Sequence, residues 1–273
     1  MENELLRKAQ LKMLTALIEL DSICSRYNIN YWIDAGTLLG AVRHKGFIPW
    51  DDDIDVCMIR EDFDKFVQVC SKELNKEHFF LQTDKTDKHY CTYNIPCKLR
   101  INNSEIIEKD ELKYGYYNQK SHHGLFIDIF PYDKYSKNSF IRSKIERFIS
   151  KIYLLKVTSQ FKKIKLTKKI IIKLIFFFLP KVVLTKLKNI QIHLMNKRKN
   201  NFVYSAGIET PFYRATFNEN EIFPLNKIMF EGYYFNCPNK TDLYLKKMFN
   251  NDYMSIPEQK NRKSHYHSIK LEI

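Results

Sequence analysis

The chain of 273 residues lacks any run of about 20 uncharged apolar residues, the length that a membrane-spanning helix requires. Its start is a charged amphipathic pattern without the apolar core or cleavage site of a signal peptide. Its six cysteines form no CxxC pair, and His89, Cys91 and Cys97 match no common zinc-site spacing. These absences predict a cytoplasmic protein whose thiols are free and buried.

Acidic residues are nearly missing from one long segment. Residues 137–200 contain 18 Lys and Arg and a single acid, Glu146, whereas the rest of the chain has a net charge of −3. At helical spacing, four of these lysines fall on one stripe: Lys162, Lys165, Lys169 and Lys173.

Two interpretations of this basic segment remain open. Residues 162–188 could lie as a helix on an anionic membrane surface, with the lysine side chains reaching outward. Alternatively, the segment is a helical insert whose Phe176, Phe177 and Phe178 pack against the rest of the protein. No recognised nucleic-acid-binding module accompanies the charge, so no nucleic acid partner is expected.

Four carboxylates occur within five residues near the first quarter of the chain: Asp51, Asp52, Asp53 and Asp55. The apolar residues 56–59 that follow are typical of a buried strand. Because side chains alternate along a strand, Asp53 and Asp55 are expected on one face, where they repel each other. Mg²⁺ accepts such oxygen ligands, so the pattern predicts a metal site, with a solvated acidic turn as the alternative.

A glycine turn lies upstream of the aspartates. An apolar strand ending near Asp34 is followed by Gly36 and by a predicted helix over residues 37–43. Free N–H groups at such a helix start suit a phosphate, which Arg43 and Lys45 could neutralise. Phosphate donors beside a carboxylate pair predict phosphoryl or nucleotidyl transfer.

The remaining framework is predicted from periodicity. Apolar spacing predicts helices at the N-terminus and over residues 60–74 and 242–250, and strands over 78–82 and 89–107. Residues 126–130 form a compact apolar strand with one acid, Asp128, which requires a partner if it is covered. Lys98 and Arg100 alternate with apolar neighbours and therefore share a face, where they could meet a phosphate.

Residues 34–43 (DAGTLLGAVR) and 46–55 (GFIPWDDDID) together resemble the signature of the LicD family, which is akin to fukutin and part of the nucleotidyltransferase-fold superfamily. Shorter matches follow in the expected order, at GLFIDIFP (residues 124–131), at FEG (230–232), at DYM (252–254) and at Arg262 with His265. The resemblance implies an α+β fold with a mixed sheet flanked by helices, a basic helical insertion and a small C-terminal region. It implies one catalytic domain over residues 1–273, with the insertion at 137–200.

The resemblance also implies an enzyme. It would transfer phosphocholine, or a related phospho-alcohol such as ribitol phosphate, from a CDP-linked donor such as CDP-choline to a hydroxyl of a cell-surface glycan, and release CMP. The acceptor would be a lipopolysaccharide, teichoic acid or capsule precursor, reached from the inner face of the cytoplasmic membrane. Mg²⁺, or Mn²⁺ in its place, would be held by Asp53, Asp55 and Asp128, with Asp51 in reserve and Asp128 as an alternative general base.

Eight substrate-binding residues are predicted with it: Gly36, Thr37, Arg43, Lys45, Lys98, Arg100, Arg262 and His265. If choline is transferred, its quaternary ammonium needs an aromatic cage. The candidates near the motifs are Trp32, Trp50, Tyr90, Tyr93 and Tyr132.

Three other functions remain open. An Asp-x-Asp pair also holds nucleotide sugars in metal-dependent glycosyltransferases, although the Gly36 turn and the Asp128 strand favour the nucleotidyltransferase arrangement. A true nucleotidyltransferase would join the nucleotide to its acceptor instead of releasing it. The third alternative is a non-catalytic scaffold at a membrane surface.

Overall fold

The computed structural model of the chain describes residues 2–93, 95–210, 215–262 and 264–272. Its helices are α1 (Glu2–Tyr27), α2 (Ala35–His44), α3 (Arg60–Glu73), α4 (Lys109–Tyr114), α5 (Arg147–Thr158), α6 (Leu166–Phe178), α7 (Lys181–Asn196), α8 (Glu219–Ile222) and α9 (Thr241–Phe249). Its strands are β1 (Trp32–Ile33), β2 (Asp55–Ile59), β3 (Phe79–Gln82), β4 (Cys97–Ile101), β5 (Glu105–Glu108), β6 (Phe126–Ser136), β7 (Phe202–Ala206), β8 (Asn226–Phe230), β9 (Tyr233–Cys237) and β10 (Tyr266–Lys270). A π-helical turn spans Ile141–Glu146, and a 3₁₀ turn spans Gln259–Asn261.

A mixed sheet with the order β1-β2-β6-β4-β3 forms the centre of the molecule, and β7 pairs with the second half of β6. Strands β2 and β6 are parallel, whereas β4 runs antiparallel to β6. The central strands are apolar nearly throughout because they are covered on both faces. The predicted α+β class, with a mixed sheet flanked by helices, is confirmed.

Helix α1 packs on this sheet along the face that its periodicity predicts. The five residues that define the face are buried: Leu6, Met13, Leu17, Leu20 and Cys24. All six cysteines are free and buried, as expected. In the described part of the chain, no helix combines the length and the apolar content needed to cross a bilayer.

The strand predicted over residues 89–107 is wrong in its first part, since β4 begins only at Cys97. Turns over residues 84–86 and 88–89 surround the carboxylate of Asp87. This carboxylate accepts hydrogen bonds from the side chains of Gln82 (2.8 Å) and Ser121 (2.7 Å) and from the backbone N–H of His89 (2.9 Å). A turn closed around one acceptor in this way has no strand periodicity to detect.

The predicted lysine stripe is also shorter than expected, because α6 begins at Leu166 and leaves Lys162 and Lys165 outside it. The cause is Phe161, whose ring lies 5.0 Å from that of Tyr93 and 5.1 Å from that of Tyr116. This aromatic cluster interrupts the helical pattern just before α6. Of the three phenylalanines at the end of α6, Phe177 and Phe178 are exposed and do not serve as packing residues.

Candidate active site

The register of three adjacent strands aligns two acids and a base. Asp55 on β2 lies opposite Asp128 on β6, and Asp128 lies opposite Lys98 on β4. Residues opposite each other on neighbouring strands point to the same face of a sheet. The three side chains therefore form a row across the middle of the sheet.

Asp53 completes a cluster of three carboxylates. One oxygen from each of Asp53, Asp55 and Asp128 lies within 4.8 Å of the others. Burial and the neighbouring carboxylates raise the pKa of Asp53 and of Asp55 well above the usual range. Oxygen ligands held this close, at a cost in repulsion, are the donor set that a hard divalent cation binds.

Lys98 compensates part of this charge. Its ammonium lies 3.0 Å from a carboxylate oxygen of Asp128 and 3.1 Å from one of Glu108 on β5. Burial raises the pKa of Asp128 to about 6, and Lys98 opposes that rise. Lys98 thus holds Asp128 in place and puts a positive charge beside the carboxylate cluster.

A cavity of about 600 Å³ opens on one side of the carboxylates. Acids of the cluster line it together with four basic side chains: Lys109, Lys113, Arg262 and His265. Glu108, Asp110 and Ser264 add polar groups, while Ile95, Ile106 and Phe126 form its apolar part. We call it the basic cavity. Its cations beside a carboxylate cluster suit a polyanionic ligand.

A second cavity, of about 430 Å³, opens on the other side. It shares Asp53, Asp128, Ile95 and His265 with the basic cavity and adds Asp51 and Asp55. Apolar residues complete it, among them Leu39, Ile48, Phe130 and Phe249. Apart from His265, no basic side chain is found among its described lining residues, so we call it the acidic cavity.

The C-terminal strand brings Arg262 and His265 to the carboxylates. β10 pairs with β5, and a carboxylate oxygen of Asp52 accepts hydrogen bonds from the backbone N–H groups of His265 (2.8 Å) and Tyr266. The contact with Asp52 raises the pKa of His265 to about 9, although partial burial opposes it. Asp52 therefore positions the cationic side of the basic cavity, which it lines, and its carboxylate also lies within 4.8 Å of Asp53 and of His265.

The start of α2 lies against the aspartate loop. Because α2 begins at Ala35, Gly36 lies inside the helix and not in the turn predicted before it. A Cβ atom on Gly36 would come within 2.6 Å of the Asp51 carboxylate, so this close approach requires glycine. Thr37 is buried, and its hydroxyl accepts a hydrogen bond from the backbone N–H of Asp55 (2.8 Å). Thr37 thereby fixes the beginning of β2, whereas Gly36 lines the acidic cavity.

Three predicted phosphate contacts lie elsewhere. Arg43 donates hydrogen bonds to the backbone carbonyls of Tyr253 (3.3 Å) and Ser255 (3.1 Å). Lys45 lines a separate cavity beside β8 and β9. Arg100 is buried, and its guanidinium donates to the Gln82 side chain (2.7 Å) and the Gly124 carbonyl (2.8 Å). None of the three lines the basic or the acidic cavity.

The candidate cage aromatics also lie apart from the cavities. Trp32 and Tyr132 are buried edge to face in the core, with ring centroids 5.2 Å apart. Tyr90 donates to the Ile95 carbonyl, and Tyr93 packs on Phe161. The fifth ring, that of Trp50, is covered by the Arg262 guanidinium at 4.5 Å. The aromatic side chains that do line the two cavities are Phe126, Phe130 and Phe249.

Sequence reasoning missed several lining residues. Glu108 sits on a short strand that gives no sign of its neighbours, and it reaches Lys98 only because β5 follows β4 directly. Lys109 and Lys113 have a detectable signal, since their spacing of four places them on one face of α4. Asp52 could not be separated from the other aspartates, because its role depends on β10, more than 200 residues away.

Comparison with known proteins bears on this arrangement. The family described as LicD/FKTN/FKRP, nucleotidyltransferase domain, matches residues 28–156. Lipopolysaccharide cholinephosphotransferase LicD of Haemophilus influenzae is 50% identical over 78 residues, which cover 29% of this chain and 29% of that protein. The uncharacterized protein RP689 of Rickettsia prowazekii is 33% identical over 138 residues, 48% of this chain and 49% of its own. Ribitol 5-phosphate transferase FKRP of Mus musculus is 42% identical over 45 residues, 16% of this chain and 9% of that protein.

These matches span less than half of each of the three relatives. The family match contains Gly36, the aspartate cluster, Lys98 and Asp128, and it ends within α5. Helices α6 and α7 and the strand that carries His265 lie beyond it. Over residues 28–156, slightly less than half of its length, the chain matches the LicD/FKTN/FKRP nucleotidyltransferase domain family.

Proposed function

We propose that the protein transfers a phospho-alcohol, phosphocholine in the first instance, from a CDP-linked donor to a hydroxyl of a cell-surface glycan precursor, with release of CMP. The observation that carries the proposal is the position of the Asp53, Asp55 and Asp128 carboxylates between two cavities. Both cavities contain acidic side chains, but among the described lining residues the basic cavity alone adds Lys109, Lys113 and Arg262. A group-transfer enzyme needs two substrates to meet at one reacting centre, and this arrangement offers a place for each.

The basic cavity is the proposed donor site. A CDP-linked alcohol carries its negative charge on the diphosphate, and Lys109, Lys113 and Arg262 supply charge of the opposite sign. Arg262 is braced against Trp50, which limits the rotamers that the guanidinium must lose on binding. The predicted role of Arg262 and His265 as phosphate contacts is retained, whereas Arg43, Lys45 and Arg100 are not needed for it.

Asp53, Asp55 and Asp128 would hold the divalent cation, for which we propose Mg²⁺ or Mn²⁺. The fit is chemical, because the three carboxylates present hard oxygen donors within reach of one another. Burial first, and then repulsion from the neighbouring carboxylates, raises the pKa of Asp53 and of Asp55, and bound positive charge would relieve the repulsion. When bound, the cation supplies charge neutralisation for the diphosphate and the leaving phosphate oxygen.

The acidic cavity is the proposed acceptor site. A neutral glycan hydroxyl tolerates its carboxylates, whereas a second diphosphate would be repelled. The acceptor oxygen would attack the phosphorus of the phospho-alcohol, and the bond from that phosphorus to the oxygen of CMP would break. Asp128 lines both cavities and is the proposed acceptor of the hydroxyl proton, with Lys98 fixing its orientation.

The choice of phosphocholine as the transferred group is supported by the names of the relatives and not by the cavity walls. The names of the LicD and FKRP proteins state transfer of cholinephosphate and of ribitol 5-phosphate, respectively. Choline would favour Glu108 and Asp110 as anionic partners, since none of the predicted cage aromatics lines the cavity. We further propose that the acceptor is reached at the inner face of an anionic membrane, through residues 162–188.

The experiment is a donor screen with purified protein, Mg²⁺, a panel of CDP-linked alcohols and UDP-sugars, and glycan acceptors, read by mass spectrometry. We expect release of CMP and an acceptor that has gained the phospho-alcohol alone. Asp55→Asn should lower turnover at least about a hundredfold, while Asp84→Asn, at an exposed aspartate, should leave it unchanged.

Other product masses would overturn the proposal. An acceptor that retains the nucleotide would identify a true nucleotidyltransferase, and consumption of a UDP-sugar would identify a glycosyltransferase. Arg262→Ala tests the donor assignment separately, because it should raise KM for the donor about tenfold with little change in KM for the acceptor. An equal rise in both values would contradict the assignment.

A further inference from the structure

Helix α6 presents its apolar face to solvent instead of to the protein. Six large apolar side chains are exposed along it: Leu166, Ile170, Ile171, Leu174, Phe177 and Phe178. At 100° per residue they occupy an arc of about 140°. The helix has one buried side chain among its described residues, Ile172, and it lies on the opposite side. This orientation is the reverse of that expected for a surface helix of a globular protein.

The strongest exposure is at the corner between α6 and α7. The rings of Phe177 and Phe178 are 79% and 80% exposed, and they contact each other edge to face at 5.2 Å. Pro180 ends α6 and begins α7, where Val182 and Val183 are also exposed. Farther along α7, Val183, Leu187, Ile190 and Leu194 form an exposed stripe about 60° wide, apart from the buried Leu184 and Met195.

Basic side chains border this apolar surface. On α6, Lys168 and Lys173 flank the two sides of the apolar arc, and both are exposed. No acid occurs between Glu146 and Glu209. A second copy of the chain would bring like charges together on such a surface, whereas an anionic lipid bilayer satisfies the lysines and the apolar arc at once.

We propose that α6 and the beginning of α7 form a membrane-inserting element, with Phe177 and Phe178 at its deepest point in an anionic bilayer. Lysines at the edge of the arc reach the lipid phosphates while their methylene groups cover apolar surface. The inference rests on the proposed function, because the purpose of the membrane-inserting element would be to place the catalytic domain beside a membrane-borne acceptor. Binding is independent of turnover, so the two proposals fail separately.

The test is co-sedimentation with vesicles of phosphatidylcholine that contain about one third phosphatidylglycerol, so that the surface is strongly anionic. We expect the double variant F177S/F178S to bind at least about tenfold more weakly. The matched control is M254S/I256S, which removes two large exposed apolar side chains outside the element and should bind like the wild type. Because all four residues are exposed, the variants should keep the circular dichroism spectrum and thermal midpoint of the wild type.

The contribution of the α6 lysines and the depth to which the Phe178 position inserts are tested separately. K168E/K173E should weaken binding by roughly fivefold or more per lysine, whereas K72E/K76E, at exposed lysines of the catalytic framework, should have a smaller effect. Tryptophan placed by F178W should be quenched by lipids brominated in the acyl chains, and tryptophan placed by I256W should not.

Three outcomes would overturn the proposal. The first is equal vesicle binding by F177S/F178S and the wild type. The second is a concentration-dependent dimer in sedimentation velocity, without lipid, that F177S/F178S abolishes; the surface would then join two copies of the chain. The third is absence of vesicle binding by the wild type, which would reject a membrane role even if the surface bound an acidic protein instead.

Discussion

The central sheet buries its apolar side chains, whereas the α6–α7 region exposes many of its own. In β2 and β6, Val56, Ile127 and Ile129 are completely buried, whereas Ile172 is the one buried side chain among the described residues of α6 and keeps 5% exposure. The two regions also differ in charge, since residues 137–200 carry +17 and the rest of the chain carries −3. The central sheet forms a fully packed core, whereas α6 carries core-type apolar residues, most of which no described part of the protein buries.

The comparison shows that each region keeps one unfavourable arrangement. In the sheet it is the repulsion among Asp53, Asp55 and Asp128, which a cation would relieve. In α6 it is exposed apolar area beside lysines, which an anionic bilayer would relieve. Features that weaken the isolated protein are informative because folding alone gives no reason to keep them.

The two regions are joined by a buried ion network. Arg60, at the start of α3, contacts Asp133 on β6 and Glu209 at 2.8 Å each, and Lys188 on α7 reaches Glu209 at 3.0 Å. Asn196 on α7 adds a hydrogen bond to Asp133 (2.8 Å). Thr210, next to Glu209, lines the acidic cavity. The network therefore fixes α7 relative to the sheet and to the proposed acceptor site.

The largest change in stability is expected for Glu209→Gln, which removes the ion pairs that connect the two regions. The change leaves Lys188 buried without a carboxylate partner and should lower the free energy of unfolding by about 3 kcal/mol at pH 7. Burial would raise the pKa of Glu209, but Arg60 and Lys188 outweigh it and hold that pKa well below its usual range. The stabilisation is thus present above the ordinary glutamate pKa of about 4.3 and is lost as the pH falls below it.

Urea denaturation of both proteins between neutral and acid pH measures this difference. The gap between wild type and variant should narrow as the medium becomes more acidic. Glu231→Gln is the control, because its pair with Arg7 is half exposed and should contribute less than about 1 kcal/mol. A constant gap across the pH range would mean that Glu209 stabilises by packing and not by charge.

Local sequence patterns predicted the framework well, because its information is local. The periodicity of α1 and the aspartate loop before β2 are predicted correctly. The strand predicted over residues 126–130 starts where expected but is too short, because β6 continues to Ser136, where its second half pairs with β7. The pairing of β2 with β6 is not local: Asp128 was placed beside Asp53 and Asp55 by family resemblance, and the register explains why the placement holds.

The parts that sequence could not supply depend on tertiary contacts. Arg100 has the residue type of a phosphate ligand, but Gln82 and Gly124 occupy its donors. Asp52 looks like its neighbours until β10 binds it. The start of α6 is set by Phe161, which packs on tyrosines from a distant part of the chain. In each case a distant partner overrides the local pattern.

Adding a divalent metal should change the free energy of unfolding by somewhat less than Glu209→Gln does. Saturating Mg²⁺ or Mn²⁺, at about 100 times the dissociation constant, should raise the free energy of unfolding of the wild type by roughly 2.7 kcal/mol. Asp55→Asn should lose this response, yet without metal it should be as stable as the wild type or more so, because one repelling charge is gone. Thermal denaturation in chelator and in metal separates the two effects. Large destabilisation of metal-free Asp55→Asn would instead assign Asp55 a structural role.

The smallest effect tests the comparison directly, with one methylene group removed from each region. Ile129→Val, in the buried centre of β6, should cost about 0.5–1.5 kcal/mol of unfolding free energy. Ile171→Val, on the exposed arc of α6, should change it by less than about 0.5 kcal/mol, because the methylene is already in water. In vesicle-binding measurements, Ile171→Val should partition onto the vesicles more weakly than the wild type, whereas Ile129→Val should bind like the wild type. Similar costs for both changes in the free protein would mean that the arc is already covered in solution, and a second copy would then replace the bilayer as its partner.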